Sequence, residues 1–129
     1  MDPTYSVVHA EYDKALRSRN RLLKADRVDP RAVKIYDELL ASRGAIVGAA
    51  RAAIVHDLGP RIEASFSAIM GEHLPLTVRY KPRVAPDVES ILRALAAGFE
   101  KDVARGFTAD GPHADDVQIE LSRLSLIHI

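Results

Sequence analysis

The sequence has no cysteine, which excludes disulfides and thiolate metal sites. It has no tryptophan and only four tyrosines and three phenylalanines, a poor supply for a groove that stacks single-stranded bases. Neither sign of charge is in excess, since 18 lysines and arginines balance 18 aspartates and glutamates. Long apolar runs are also missing. The stretch from Gly44 to Val55 is interrupted by Arg51 and ends at His56-Asp57, so no bilayer span and no membrane partner are expected. Asp2 and Pro3 stand where an export signal would place basic residues, so the chain is expected to be cytoplasmic. There is no glycine-rich phosphate loop followed by Lys and Ser or Thr, and no Gly-x-Ser-x-Gly elbow.

What is present suits one globular domain: 129 residues, 47% hydrophobic and 28% charged. Asp2-Pro3 reads as a helix start, an acidic cap followed by proline in the first turn. Tyr5, Val8, Tyr12, Leu16 and Leu23 recur at helical spacing and predict a helix ending near Asp26. Asp29-Pro30 repeats the start signal. Val33, Tyr36, Leu40, Val47, Ala50, Ile54 and Leu58 carry a long second helix. Gly44 and Gly48 on it predict a tightly packed helix pair, and Gly59-Pro60 predicts a kink or division. Ile62, Phe66 and Ile69 resume the face up to Gly71. Leu74, Leu76, Val78 and Tyr80 alternate as a half-buried strand, and Val117, Ile119 and Leu121 as a short one. Between them Val88, Ile91, Leu92, Leu95, Phe99 and Val103 form a third helical stripe stopped at Gly106. The expected class is α+β and mostly helical, with long antiparallel helices and a minor β component.

The charges are unevenly placed. Between Lys14 and Lys34 eight basic residues face only Asp26 and Asp29, a net +6. Between Asp87 and Glu120 eight acids face Arg93, Lys101 and Arg105, a net −5. A basic stripe of this kind holds phosphates, forms a solvated helix face, or meets the acidic half of its own chain. Within it Arg17, Arg19, Arg21 and Lys24 are the candidate DNA contacts.

The turn Gly111-Pro112-His113-Ala114-Asp115-Asp116 is the most unusual segment. A histidine and two carboxylates this close suit a divalent metal or an acid–base pair, which would make a small metal-dependent hydrolase. The same residues also suit a polar turn before a strand. His9, His56 and His73 stand scattered, without zinc-protease spacing. Tyr5, Tyr12, Tyr36 and Phe66 sit at helical spacing, which favours a core role.

Arg105, Gly106, Phe107 and Thr108, followed by Gly111, Pro112, His113, Asp115 and Asp116, resemble the RecF family. Its turn usually reads Gly-Pro-His-Arg-Asp-Asp after an Arg-Gly-(aromatic)-Thr pattern. Ala114 stands in place of the usual arginine and removes one positive charge. Tyr12, Lys14, Leu16, Arg19, Asn20, Leu22, Leu23 and Lys24 are similar to another stretch of that family, as are Leu76, Tyr80 and Pro82. The agreement runs in order from about Asp2 to Leu121.

The resemblance implies the helical arm of an ABC-type ATPase head, like those of SMC and Rad50 proteins. Residues 1–108 would be the arm and residues 109–123 the start of the return to the ATPase lobe. The parent would bind ATP and Mg2+, dimerise around ATP, and bind DNA. It would work with RecR-type and RecO-type partners in recombinational gap repair and support the SOS response. The phosphate loop is expected upstream of Met1, itself then an internal methionine, and the signature and Walker B motifs downstream. The tail Leu124-Ser125-Leu126-Ile127-His128-Ile129 resembles one reading frame of a sequencing-library transposase adapter, and the other reading is a genuine strand. A helical protein–protein adaptor is the further alternative.

Hydrolysis in phosphate-loop enzymes needs backbone amides and a lysine around the phosphates and carboxylates for magnesium. The purified chain is therefore expected not to turn over ATP and to bind no cofactor by itself. Magnesium-dependent phosphate release above the buffer blank would overturn this.

Overall fold

A computed structural model describes residues 3–71 and 74–121. Asp2, His73 and the tail from Leu124 lie outside the described residues. Helix α1 spans Pro3–Leu23 and α2 spans Pro30–Met70. Strand β1 (Leu76–Lys81), helices α3 (Val88–Ala97) and α4 (Phe99–Arg105), a 3-10 turn (Pro112–Ala114) and strand β2 (Asp116–Leu121) follow. The class is α+β and mostly helical, as the periodicities predict.

The chain divides into two compact units, and α2 contributes to both. The first comprises Met1–Ala50 and Pro82–Asp115, the second Arg51–Lys81 and Asp116–Ile129. Each is discontinuous in sequence.

In the first unit Tyr12, Ala15, Leu40, Ala41, Val47, Ile91 and Leu95 form one buried cluster. Burial of such side chains is worth about 1.5–3 kcal/mol each for the larger ones. Helix α1 stops at Leu23, three residues before the expected end. Its last turn tightens through Lys24 N–H to Arg21 O and Ala25 N–H to Leu22 O, both 3.3 Å. The single stripe expected from Val88 to Val103 is broken at Gly98, which ends α3 and opens α4. Asp87 caps α3, accepting from the Ser90 N–H and hydroxyl at 2.8 Å each. These two bonds hold its carboxyl below the usual range.

In the second unit β1 and β2 pair antiparallel, with Leu76 opposite Leu121, Val78 opposite Ile119 and Tyr80 opposite Val117. These six side chains share one face of the ribbon. Gly59 packs against Val78, and Glu63 Oε2 accepts the Val78 N–H at 2.8 Å. Of the kink or division expected at Gly59-Pro60, the division does not occur, since α2 stays helical through Pro60. Proline removes one ladder bond, but the bare Gly59 surface buried against Val78 secures the segment. Val117 and Ile119 remain exposed.

The expectation that nothing reaches membrane-spanning length is corrected. By length and composition α2 suffices, with a window of mean hydropathy 1.2. Some of that apolarity serves the core, through Leu40, Ala41 and Val47.

The small residues of α2 do admit close neighbours, though not only a second helix. Gly44 lies under Tyr12 of α1, Ile91 of α3 and Pro112. Gly48 receives the ring of Pro86, and a Cβ there would stand 2.7 Å from Pro86 Cβ. Gly48→Ala gains up to about 1 kcal/mol of helix propensity. Overpacking against a rigid ring costs about 1–3 kcal/mol, so a net decrease in stability is expected. The midpoint of urea denaturation measures it, and a higher midpoint than the parent chain's would contradict the packing argument.

Candidate functional site

Two side-chain systems of the first unit carry the chemistry that the sequence points to. Both depend on which face of α1 a residue occupies.

Lys14, Arg17, Arg21 and Lys24 follow one another by three, four and three residues, a single helical face continued past the end of α1. All four are exposed. Among the described residues none of them forms an ion pair; the pairs of α1 belong to His9, Glu11 and Arg19. Arg21 stands in the last turn, where the helix dipole favours a cation.

Arg19 lies on the opposite face, in register with Tyr12, Ala15 and Leu23, and is wholly buried. Its reading as a DNA contact is therefore corrected, because no phosphate reaches a guanidinium sealed in the core. Arg19 Nε donates to Asp37 Oδ1 at 2.6 Å, and Nη1 donates to Asp102 Oδ2 and Thr108 Oγ1 at 2.8 Å each. Asn20 Oδ1 accepts both the Thr108 N–H at 2.8 Å and its hydroxyl at 2.7 Å. Asp102 Oδ1 takes the Ala109 N–H at 3.3 Å. Nη2 of Arg19 is buried without a partner. Asp102 belongs to the acidic segment, so the intramolecular reading of the basic stripe holds for Arg19, and the exposed cations stay outside it.

Two carboxylates share this one guanidinium. Asp102 receives a second donor, whereas Asp37 holds Arg19 through a single bond. Burial pushes the Asp37 carboxyl above its ordinary value, against the pull of Arg19.

The Gly111–Asp116 turn closes on α1. Gly111 has φ 139°, a conformation for glycine, and a Cβ there would run into the Tyr12 hydroxyl. His113 Nε2 lies 2.8 Å from the Thr108 carbonyl, which can only accept, so Nε2 carries the proton. Nδ1 then accepts from the Tyr12 hydroxyl at 2.7 Å. Asp115 Oδ1 accepts the Arg83 N–H at 2.7 Å, and exposed Asp116 takes the Val117 N–H at 2.9 Å. Pro112 is buried, and Ala114, in place of arginine, is exposed. The side chains grouped by sequence as a metal or acid–base set thus serve as separate ties. Among the described residues no group of three or more His, Asp or Glu could hold a metal ion. Tyr12, placed in the core, does sit there, but it also donates to His113.

The sequence reading missed Asp37 and the inward role of Arg19. A signal existed: both lie on the apolar stripes, Arg19 between Tyr12 and Leu23, Asp37 between Val33 and Leu40. A charge on a buried stripe calls for a partner of opposite sign.

No family model matches the chain. A DNA replication and repair protein RecF from Myxococcus xanthus is 37% identical over 92% of this chain, and one from Acidothermus cellulolyticus is 34% identical over 92%. The chain spans 34% and 36% of their lengths, about a third. A solved structure of the recombination mediator protein RecF with ATP, in the RecFOR pathway, superposes with a TM-score of 0.84 at 24% identity. That match covers 93% of this chain and 35% of the other, and it establishes the fold.

Arg19→Met leaves two buried carboxylates unpaired and is expected to cost about 3–5 kcal/mol. Arg17→Met, on the exposed face, is expected to stay within about 0.5 kcal/mol. Between 3.8 and its raised value Asp37 binds its proton more tightly folded than unfolded, so its contribution to stability falls as pH rises through that window. In Asp37→Asn that fall disappears. Denaturation curves of the three variants and the parent chain across acidic pH check both statements; equal destabilisation at positions 17 and 19 would refute the first.

Proposed function

Since this chain belongs to the RecF family, we propose that it is the helical arm, with the first part of the return to the ATPase lobe, of a RecF-type DNA replication and repair protein. The parent is a cytoplasmic protein that binds ATP with Mg2+, dimerises in response, and engages DNA. It acts with RecR-type and RecO-type partners in recombinational gap repair and supports the SOS response. The arm itself hydrolyses nothing. Its part is to offer Lys14, Arg17, Arg21 and Lys24 to the phosphates of duplex DNA.

One observation carries the DNA part: four exposed cations share a face without acidic partners, while the arginine that does have acidic partners is turned into the core. A face used only inside the chain would have paired those four with the acidic segment. Cations on a helix contact phosphates without reading bases, so the binding is expected to be indifferent to sequence and sensitive to salt.

A second reading, a protein-docking arm, is favoured by Ile54, Leu58 and Ile62, which repeat every four residues on α2 and are 44–45% exposed. The two readings concern different surfaces.

The test replaces Arg17, Arg21 and Lys24 by glutamine together in the intact chain. Duplex affinity is measured from low to moderate salt. Removing one cation that neutralises a phosphate should flatten the dependence of log affinity on log salt by about 0.9, which brings the change close to three for the triple variant. A slope equal to that of the parent chain would remove the DNA contact from this face.

A further inference from the structure

We propose that the basic face of α1 continues across α4, so that Lys101 and Arg105 form the far end of one track for the phosphate backbone of duplex DNA. The inference rests on the DNA reading above and extends it to a segment whose overall charge is acidic.

Helix α4 buries one of its charges and exposes Glu100, Lys101 and Arg105. Asp102 points inward to Arg19, while Lys101 and Arg105, four residues apart, are exposed on a common side. By count this region is negative, yet folding draws Asp102 into the core and leaves Lys101 and Arg105 exposed beside Glu100. Neither Lys101 nor Arg105 forms an ion pair among the described residues.

The two helices meet through Lys24. Its aliphatic stem lies over Gly106, where a Cβ would stand 3.4 Å from Lys24 Cγ. Gly106 ends α4 with φ 78°, so the residue that allows the left-handed cap also leaves the surface bare for the lysine. The stem of Lys24 thus lies beside the residue that follows Arg105. From Lys14 the cations then run along α1, across this junction and onto α4.

The end of the track is concave. Arg83, Lys101 and Arg105 line a cleft of about 280 Å³ together with Asp102 and Asp110. Both carboxylates are already engaged, Asp102 by Arg19 and Asp110 by Arg83 Nε at 2.9 Å. Ala94, Ala97 and Gly98 also line it and add almost no side-chain bulk. A cleft with small walls and two uncommitted cations suits a phosphate group.

The cations have a competing structural use. Arg105 stands in the last turn of α4, where it offsets the helix dipole. That role would show in stability and leave DNA affinity unchanged.

The experiment compares four forms of the intact chain on one duplex: the parent, R17Q/R21Q/K24Q, K101Q/R105Q and K101R/R105K. Arg61→Gln, an exposed change in the second unit, serves as the control for net charge. The expected result is a salt slope reduced by about two for K101Q/R105Q, with the slope kept in K101R/R105K and in the control. The thermal midpoint of K101Q/R105Q should match that of the parent chain. If the α1 variant has a reduced slope and K101Q/R105Q does not, the track ends at Lys24 and the inference is wrong while the DNA reading stands. If K101Q/R105Q lowers only the thermal midpoint, the two cations are dipole partners and the inference is again wrong. If neither variant alters the slope, the DNA reading itself fails. An equal reduction in the Arg61→Gln control would reduce the effect to net charge and overturn the track.

Discussion

The first unit is organised around one guanidinium. Arg19 is the largest side chain among those fully buried, and it ties α1 to Asp37 of α2, to Asp102 of α4 and to Thr108 beyond α4. Three segments far apart in sequence are thus held by an interaction whose geometry is directional, unlike the apolar contacts beside it. Burying a charge is costly, and the cost is offset only where its donors are met. Arginine suits this role because its planar fork serves several acceptors at once. Burial is what leaves Asp37 with a raised pKa, since the pull of the shared guanidinium does not offset it.

That interaction also explains where the other cations go. A helix that commits one arginine inward rotates its neighbours at positions 17 and 21 outward by geometry alone. On α4 Asp102 is buried while Lys101 and Arg105 stay exposed. The buried network and the exposed basic surface are therefore two consequences of one helical register. The Gly111–Asp116 turn adds a second tie to α1, because the Tyr12 hydroxyl and the Thr108 carbonyl together fix the His113 ring. Thr108 belongs to both systems, accepting from Arg19 with its hydroxyl and from His113 with its carbonyl.

Much of the fold was legible. Pro3 and Pro30 stand at real helix starts, and Gly106 stops α4 as expected. Both strands were visible as alternation. The errors share one cause, which is that local signals do not know what packs against them. Gly59-Pro60 reads as a kink or division, yet the helix continues through it with Val78 and Glu63 of the second unit beside it. Gly98 reads as part of a helical stripe, yet the Asp110 carboxylate from beyond α4 would lie 3.5 Å from a Cβ there. The family resemblance agrees with the RecF relatives that the chain matches. The roles of those residues were less visible: His113, Asp115 and Asp116 look like a ligand set in sequence, and each is spent on a different tie.

The sequence by itself determined the helical periods, the turn chemistry at glycine and proline, and the ordered residues that resemble the RecF family, because these depend on neighbours within a few positions. It also determined that a concentrated basic stretch exists. Only the tertiary structure decided which of those cations face water. Arg17, Arg19 and Arg21 are equivalent in a string of letters. They differ because α1 has one buried side, and Asp37, 18 residues away, and Asp102, 83 residues away, wait on that side for a single guanidinium.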